Sequence, residues 1–114
     1  MERAVTQRIK RVGVDDKVPV KLSVADRSLL VDHTLADPEL ISRLEAATPE
    51  RSKITVHYTL SELEDLQGFI AAEANHARSR KLQRRLYDLY DRIKVVEEAY
   101  ADELSPEWIQ KLAT

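Results

Sequence analysis

Two stretches of the chain alternate apolar and polar residues at period two. Val18, Val20 and Leu22 fall on one face of the first; Ile54, Val56 and Tyr58 fall on one face of the second, with Thr55, His57 and Thr59 between and beyond them. That alternation predicts two half-buried strands, over 18–22 and 53–59. Pro19 lacks an N–H and confines the first to an edge or a strand start. Each stretch runs into the same polar signal. Ser23 stands three residues before Asp26, and Thr59 three before Glu62. Hydroxyl and carboxylate at that spacing form a capping box, which satisfies free backbone N–H groups at a helix start.

The apolar period then changes to that of a helix. Val24, Leu29, Leu30 and Val31 mark a first helix through about residue 33. Asp37-Pro38 starts a second, with Leu40, Ile41 and Leu44 on its inner face, ending near Ala47. Asp caps the free N–H groups and Pro fits the first helical position. Leu63, Leu66, Phe69 and Ile70 mark a third. From Leu82 onward, Leu82, Leu86, Leu89, Ile93, Val96 and Tyr100 recur at 4-3-4-3-4 spacing, a strict heptad seam. Carried backward, that register meets Ser79, Asn75 and Gly68, none suited to a core. The pattern therefore predicts a break near 76–79 and a helical hairpin. Ser105-Pro106-Glu107 starts a last short helix carrying Trp108, Ile109 and Leu112.

The two strand-to-helix passages echo each other at an offset of 36 residues, from Val18–Leu30 to Ile54–Leu66. The fold expected is α+β and mostly helical: two short strands, each leading into a capped helix, ending in a long heptad-patterned helix. One domain covers 18–114. It comprises strand–helix–helix over 18–47, strand–helix–helix over 53–103, and a short helix over 106–112. Residues 1–17, with Arg3, Arg8, Lys10 and Arg11, read as a basic arm that is mobile or ordered only by a partner.

Helix lengths point to an interface. A helix over 80–103 is about 36 Å long and one over 60–76 about 25 Å. The far end of the seam then has no cover, and exposed contiguous apolar surface marks an interaction site. The expectation is a non-enzymatic interaction or oligomerisation module, a homodimer closing Leu82, Leu86, Leu89, Ile93, Val96 and Tyr100 against a second copy. Folding back of the Trp108 segment is the alternative cover.

Composition narrows the classes. The chain has 114 residues, 43% hydrophobic and 33% charged, with two glycines and no cysteine. Disulfides, thiolate metal sites and a cysteine nucleophile are excluded. No secretory leader or spanning stretch is legible, so a cytoplasmic protein is expected. Net charge is −2, which argues against nucleic-acid binding over the whole surface. The charge is uneven, however. Arg78, Arg80, Lys81, Arg84 and Arg85 form an acid-free run, which gives a second functional reading: a small nucleic-acid-associated regulator touching phosphates. Pairing of Arg84, Arg85 and Arg92 with Asp88 at helical spacing is the plainer role for these bases.

Candidate chemistry is sparse. Glu73 and His76 form a Glu-x-x-His pair on the third helix, a fragment of the carboxylate-bridged ligand sets of helical bundles. A metal-binding helical protein is the third reading, with an incomplete ligand set. His33 sits at a helix end and His57 on the polar face of a strand. Neither joins a nucleophile and an acid, and two glycines leave no phosphate-cradling loop. No catalytic residue and no cofactor are expected.

The stretch Tyr58–Ala77, followed by Lys81-Leu82-Gln83 and Leu89–Ile93, resembles short uncharacterised bacterial proteins. The resemblance spans about residues 18–100. It carries no activity, so it assigns no functional residue. It implies a bacterial, cytoplasmic origin.

Overall fold

A computed structural model describes residues 10–102 apart from Leu35. The described chain is mostly helical and α+β. Its elements are β1 (Lys10–Val12), β2 (Lys17–Ser23), α1 (Val24–His33), α2 (Pro38–Ala46), β3 (Lys53–Thr59), α3 (Leu60–His76), α4 (Arg80–Glu98) and β4 (Tyr100–Asp102). No helix among the described residues is long and apolar enough to cross a membrane.

β2 and β3 pair antiparallel, with Val20 opposite Val56, Val18 opposite Tyr58 and Leu22 opposite Ile54. All six side chains are buried. They are the apolar half of the alternation, and the helices cover them. A two-stranded sheet is marginal alone and needs such cover. Pro19 stands opposite His57 and is tolerated because each strand of a two-stranded sheet has one open edge.

Both helix starts are built as the Ser/Thr-x-x-acid spacing requires. The Asp26 N–H donates to Ser23 Oγ (2.9 Å) and the Ser23 N–H to Asp26 Oδ2 (3.0 Å). The Glu62 N–H donates to Thr59 Oγ1 (3.1 Å) and the Thr59 N–H to Glu62 Oε1 (2.9 Å). Asp37 caps α2 through the Glu39 N–H (2.9 Å), with Pro38 at its first turn.

α3 and α4 form the expected hairpin. Ala77 is extended, and the Ser79 hydroxyl oxygen accepts from the Leu82 N–H (3.1 Å) to restart the helix. The Gln83 side-chain amide donates to the Ala74 carbonyl (2.9 Å), which closes the end of α3. Buried Gln67 spans the pair by donating to Glu97 (2.6 Å).

Two boundaries differ from the expectation. α4 ends at Glu98, not near 103, and Tyr100–Asp102 form β4. β4 pairs in parallel with β1, Lys10 opposite Tyr100 and Val12 opposite Asp102, and the Lys10 N–H donates to the Ala99 carbonyl (2.9 Å). Part of the basic arm is thus a strand of the fold, ordered by the chain itself. Its partner lies at the other end of the described sequence, so no local pattern announces the pairing. Residues 1–9, with Arg3 and Arg8, and the expected helix over 106–112 lie outside the described residues.

The seam of α4 is also corrected. Leu86, Leu89 and Ile93 are fully buried within one chain, and Leu82, Val96 and Tyr100 are half-buried against the same core. The expected overhang does not exist, because α3 has 17 residues and α4 has 19. A difference of two residues is only about 3 Å of helix. The exposed large apolar or aromatic side chains of α4 are Tyr87 and Val95, which form no stripe. The geometric premise for a dimer through this seam is therefore gone.

Candidate nucleic-acid interface

The other half of the alternation faces out. Lys17, Pro19 and Lys21 on β2 and Lys53, Thr55 and His57 on β3 are all exposed. Because side chains alternate across a strand, one register assembles them into a single face. Lys17 lies opposite Thr59, Pro19 opposite His57, Lys21 opposite Thr55 and Ser23 opposite Lys53. Its strand positions carry three lysines and a histidine and no carboxylate, and Glu50 lies beside Lys21 and Lys53 at one end. Seven-residue strands make it about 20 Å long, and the strands lie about 4.8 Å apart.

The ends of the ribbon are fixed by short-range structure. Arg51 (φ 54°) and Ser52 (φ 67°) take left-handed backbone conformations and turn the chain into β3. Such conformations are uncommon outside glycine. The turn is held because the Val24 N–H donates to the Ser52 carbonyl (3.0 Å), and Glu50 and Lys53 exchange backbone hydrogen bonds of 2.7 and 3.0 Å. A shallow hollow beside it is lined by Lys21, Glu50, Arg51, Lys53 and Thr55.

Arg43 of α2 braces the outer edge of β3. It donates to both carboxylate oxygens of Glu62 (2.7 and 2.8 Å), to Glu39 (3.2 Å) and to the His57 carbonyl (3.2 Å). Its guanidinium also lies 5.4 Å from the centre of the Tyr58 ring. These hydrogen bonds hold the Glu62 carboxyl down at about 2 and push the Arg43 pKa up. Burial raises the Tyr58 phenol, whose O–H donates to the Leu40 carbonyl (2.7 Å). Arg43 is thus engaged in the fold, whereas Lys17, Lys21 and Lys53 make no ion pair within 4 Å among the described residues.

The residues singled out from the sequence are placed as follows. Arg78, Arg80, Lys81, Arg84 and Arg85 are exposed around the α3–α4 corner and the first turns of α4. The expected pairing with Asp88 is not formed. Arg92 instead donates to Asp26 Oδ1 (2.5 Å), the acid of the first capping box. Glu73 is half-buried and His76 exposed; the His76 ring donates through Nδ1 to the Ala72 carbonyl (2.8 Å). No group of three possible metal ligands occurs among the described residues, so this pair gains no further ligand.

Sequence reading missed the lysines of the ribbon. The period-two signal was legible, but each strand shows only three outward residues. Only the antiparallel register brings Lys21 beside Thr55 and Pro19 beside His57. No family model, curated protein or solved structure matches the chain.

Proposed function

We propose that this protein binds double-stranded DNA and that the exposed face of the β2–β3 ribbon is the surface that enters the major groove. The observation that carries this reading is the concentration of Lys17, Lys21, Lys53 and His57 on one face whose strand positions hold no carboxylate, with Glu50 at one end, in a chain of net charge −2. The B-DNA major groove, about 12 Å wide, admits a two-stranded ribbon. The major groove of A-form RNA is deep and narrow, which favours DNA over duplex RNA.

The roles follow from position along the ribbon. Lys17 and Lys53 stand at its two ends and suit phosphates, as point charges that displace condensed counterions. Lys21, Thr55 and His57 stand nearer the centre and suit base edges. This reading displaces the homodimer as the leading function, because the seam that suggested the dimer is filled from within the chain.

Fluorescence anisotropy with a labelled duplex, titrated with salt, tests it. Each phosphate contact contributes about −0.9 to the slope of log K against log salt. Replacing Lys17 and Lys53 together by Gln is expected to flatten that slope by about 2, with helicity unchanged by circular dichroism. Absence of salt-dependent duplex binding in the wild-type chain overturns the proposal. So does an unchanged slope in the double variant, or duplex RNA bound as tightly as DNA.

A further inference from the structure

Resting on that reading, we infer that the DNA target is a non-palindromic site, with a guanine-bearing half beneath Lys21 and Thr55. The sequence repeats at an offset of 36, and the one pair in the ladder separated by that offset is Val20 opposite Val56. Every other rung is arranged symmetrically about it: Val18–Tyr58 answers Leu22–Ile54, and Pro19–His57 answers Lys21–Thr55. The ribbon backbone therefore has a local twofold axis through the Val20–Val56 rung. Two copies of one strand-to-helix unit meet there within one chain.

A face with true twofold symmetry would read an inverted repeat, because symmetry of the protein is mirrored in its site. Here the backbone keeps the symmetry and the outward side chains do not. The outer equivalents, Lys17 and Lys53, are the same residue. The inner equivalents differ: Pro19 stands where its counterpart is Thr55, and Lys21 where its counterpart is His57. One half of the face presents an ammonium beside a hydroxyl, and the other a pyrrolidine ring beside an imidazole.

These halves want different bases. An ammonium suits the O6 and N7 acceptors of guanine, and a Thr hydroxyl accepts either kind of partner. A proline offers no side-chain donor and suits apolar contact such as a thymine methyl. Two identical half-sites would leave one half of this face mismatched.

Selection from a randomised duplex pool with the full chain reads the inference directly. The expected consensus is not an inverted repeat and has guanine in one half only. The double substitution Pro19→Thr, Lys21→His makes the inner positions equivalent and is expected to turn the consensus into an inverted repeat. Lys21→Gln, a single exposed change, is expected to lower the guanine preference about tenfold in one half and leave the other half intact. An inverted-repeat consensus for the wild-type chain overturns the inference while leaving DNA binding standing. Binding with no sequence preference, or an unchanged consensus in both variants, does the same. Recovery of no duplex at all overturns DNA binding itself, and the inference with it.

Discussion

Replacing Arg43 by Met removes a charge that holds the second capping box and keeps an apolar stem against Tyr58. The magnitude follows from Glu62. Its carboxyl pKa is lowered from 4.5 to about 2, chiefly by the Arg43 hydrogen bonds and also by the Thr59 N–H and the charge of Lys17, so the full shift, about 3 kcal/mol, is a ceiling for the Arg43 share. Glu62 and Arg43 side chains are 24% and 22% exposed, and solvent screening brings the contribution to about 1–2 kcal/mol. The Tyr58 ring contact adds about 0.5–1 kcal/mol. A loss near 2 kcal/mol lowers the thermal midpoint by roughly 8 °C for a chain of this size. The pH dependence has a definite sign. Because the folded pKa is depressed, the Glu62 contribution is fully present above the unfolded pKa of 4.5 and is lost as pH falls toward 2. Urea denaturation of wild type, Arg43→Met, Glu62→Gln and the double variant, repeated from pH 7 to pH 2, isolates the pair. The expected coupling is about 1–2 kcal/mol at pH 7 and fades across the acid window. A coupling that is flat with pH, or below about 0.3 kcal/mol at pH 7, refutes the electrostatic account.

Gly68→Ala is expected to stabilise the protein by about 0.5–1 kcal/mol in chemical denaturation. Gly68 is inside α3 with negative φ, and a Cβ there meets nothing within 4 Å, so the gain is the helix propensity of Ala over Gly. Leu89→Ala is expected to cost about 2–5 kcal/mol because Leu89 is fully buried. Its unfolding midpoint should not move with protein concentration, since the cavity lies inside one chain; a concentration-dependent loss would return the seam to an interface.

What was legible in the sequence was local. The alternation of Ile54, Val56 and Tyr58, the capping boxes, the Asp37-Pro38 start and the break before Arg80 each depend on residues within one turn or a few rungs. What was not legible depends on distant partners. β1 and β4 meet from opposite ends of the described chain, and neither of these three-residue segments has a period of its own. Arg92 stands at helical spacing from Asp88 yet bonds Asp26, because the tertiary partner is a carboxylate that already belongs to a cap. The heptad seam was apolar as read, but its cover depended on where α4 ends. Tyr100–Asp102 form a strand where the pattern had extended the helix, and the shorter α4 leaves no overhang beyond α3.

The two arginine clamps extend the twofold relation beyond the ribbon. Arg43, on the second helix of the first unit, holds Glu62, the box acid of the second. Arg92, on the second helix of the second unit, holds Asp26, the box acid of the first. Each unit also lends its strand to the other. The exchange is reciprocal, so neither unit has its sheet partner or its clamped helix start when alone. The clamps are unequal: Arg43 grips both oxygens and is mostly covered, while Arg92 makes one contact and is half exposed. An exchange of this kind fixes the inner face of the ribbon through Val18, Val20, Leu22, Ile54, Val56 and Tyr58. It places no packing demand on the outer face, where Pro19 and Lys21 have parted from Thr55 and His57. The inner equivalents also differ, Val18 from Ile54 and Leu22 from Tyr58, but all four stay buried; the exposed differences, Pro19 from Thr55 and Lys21 from His57, are the ones on which the proposed reading of two unlike half-sites depends.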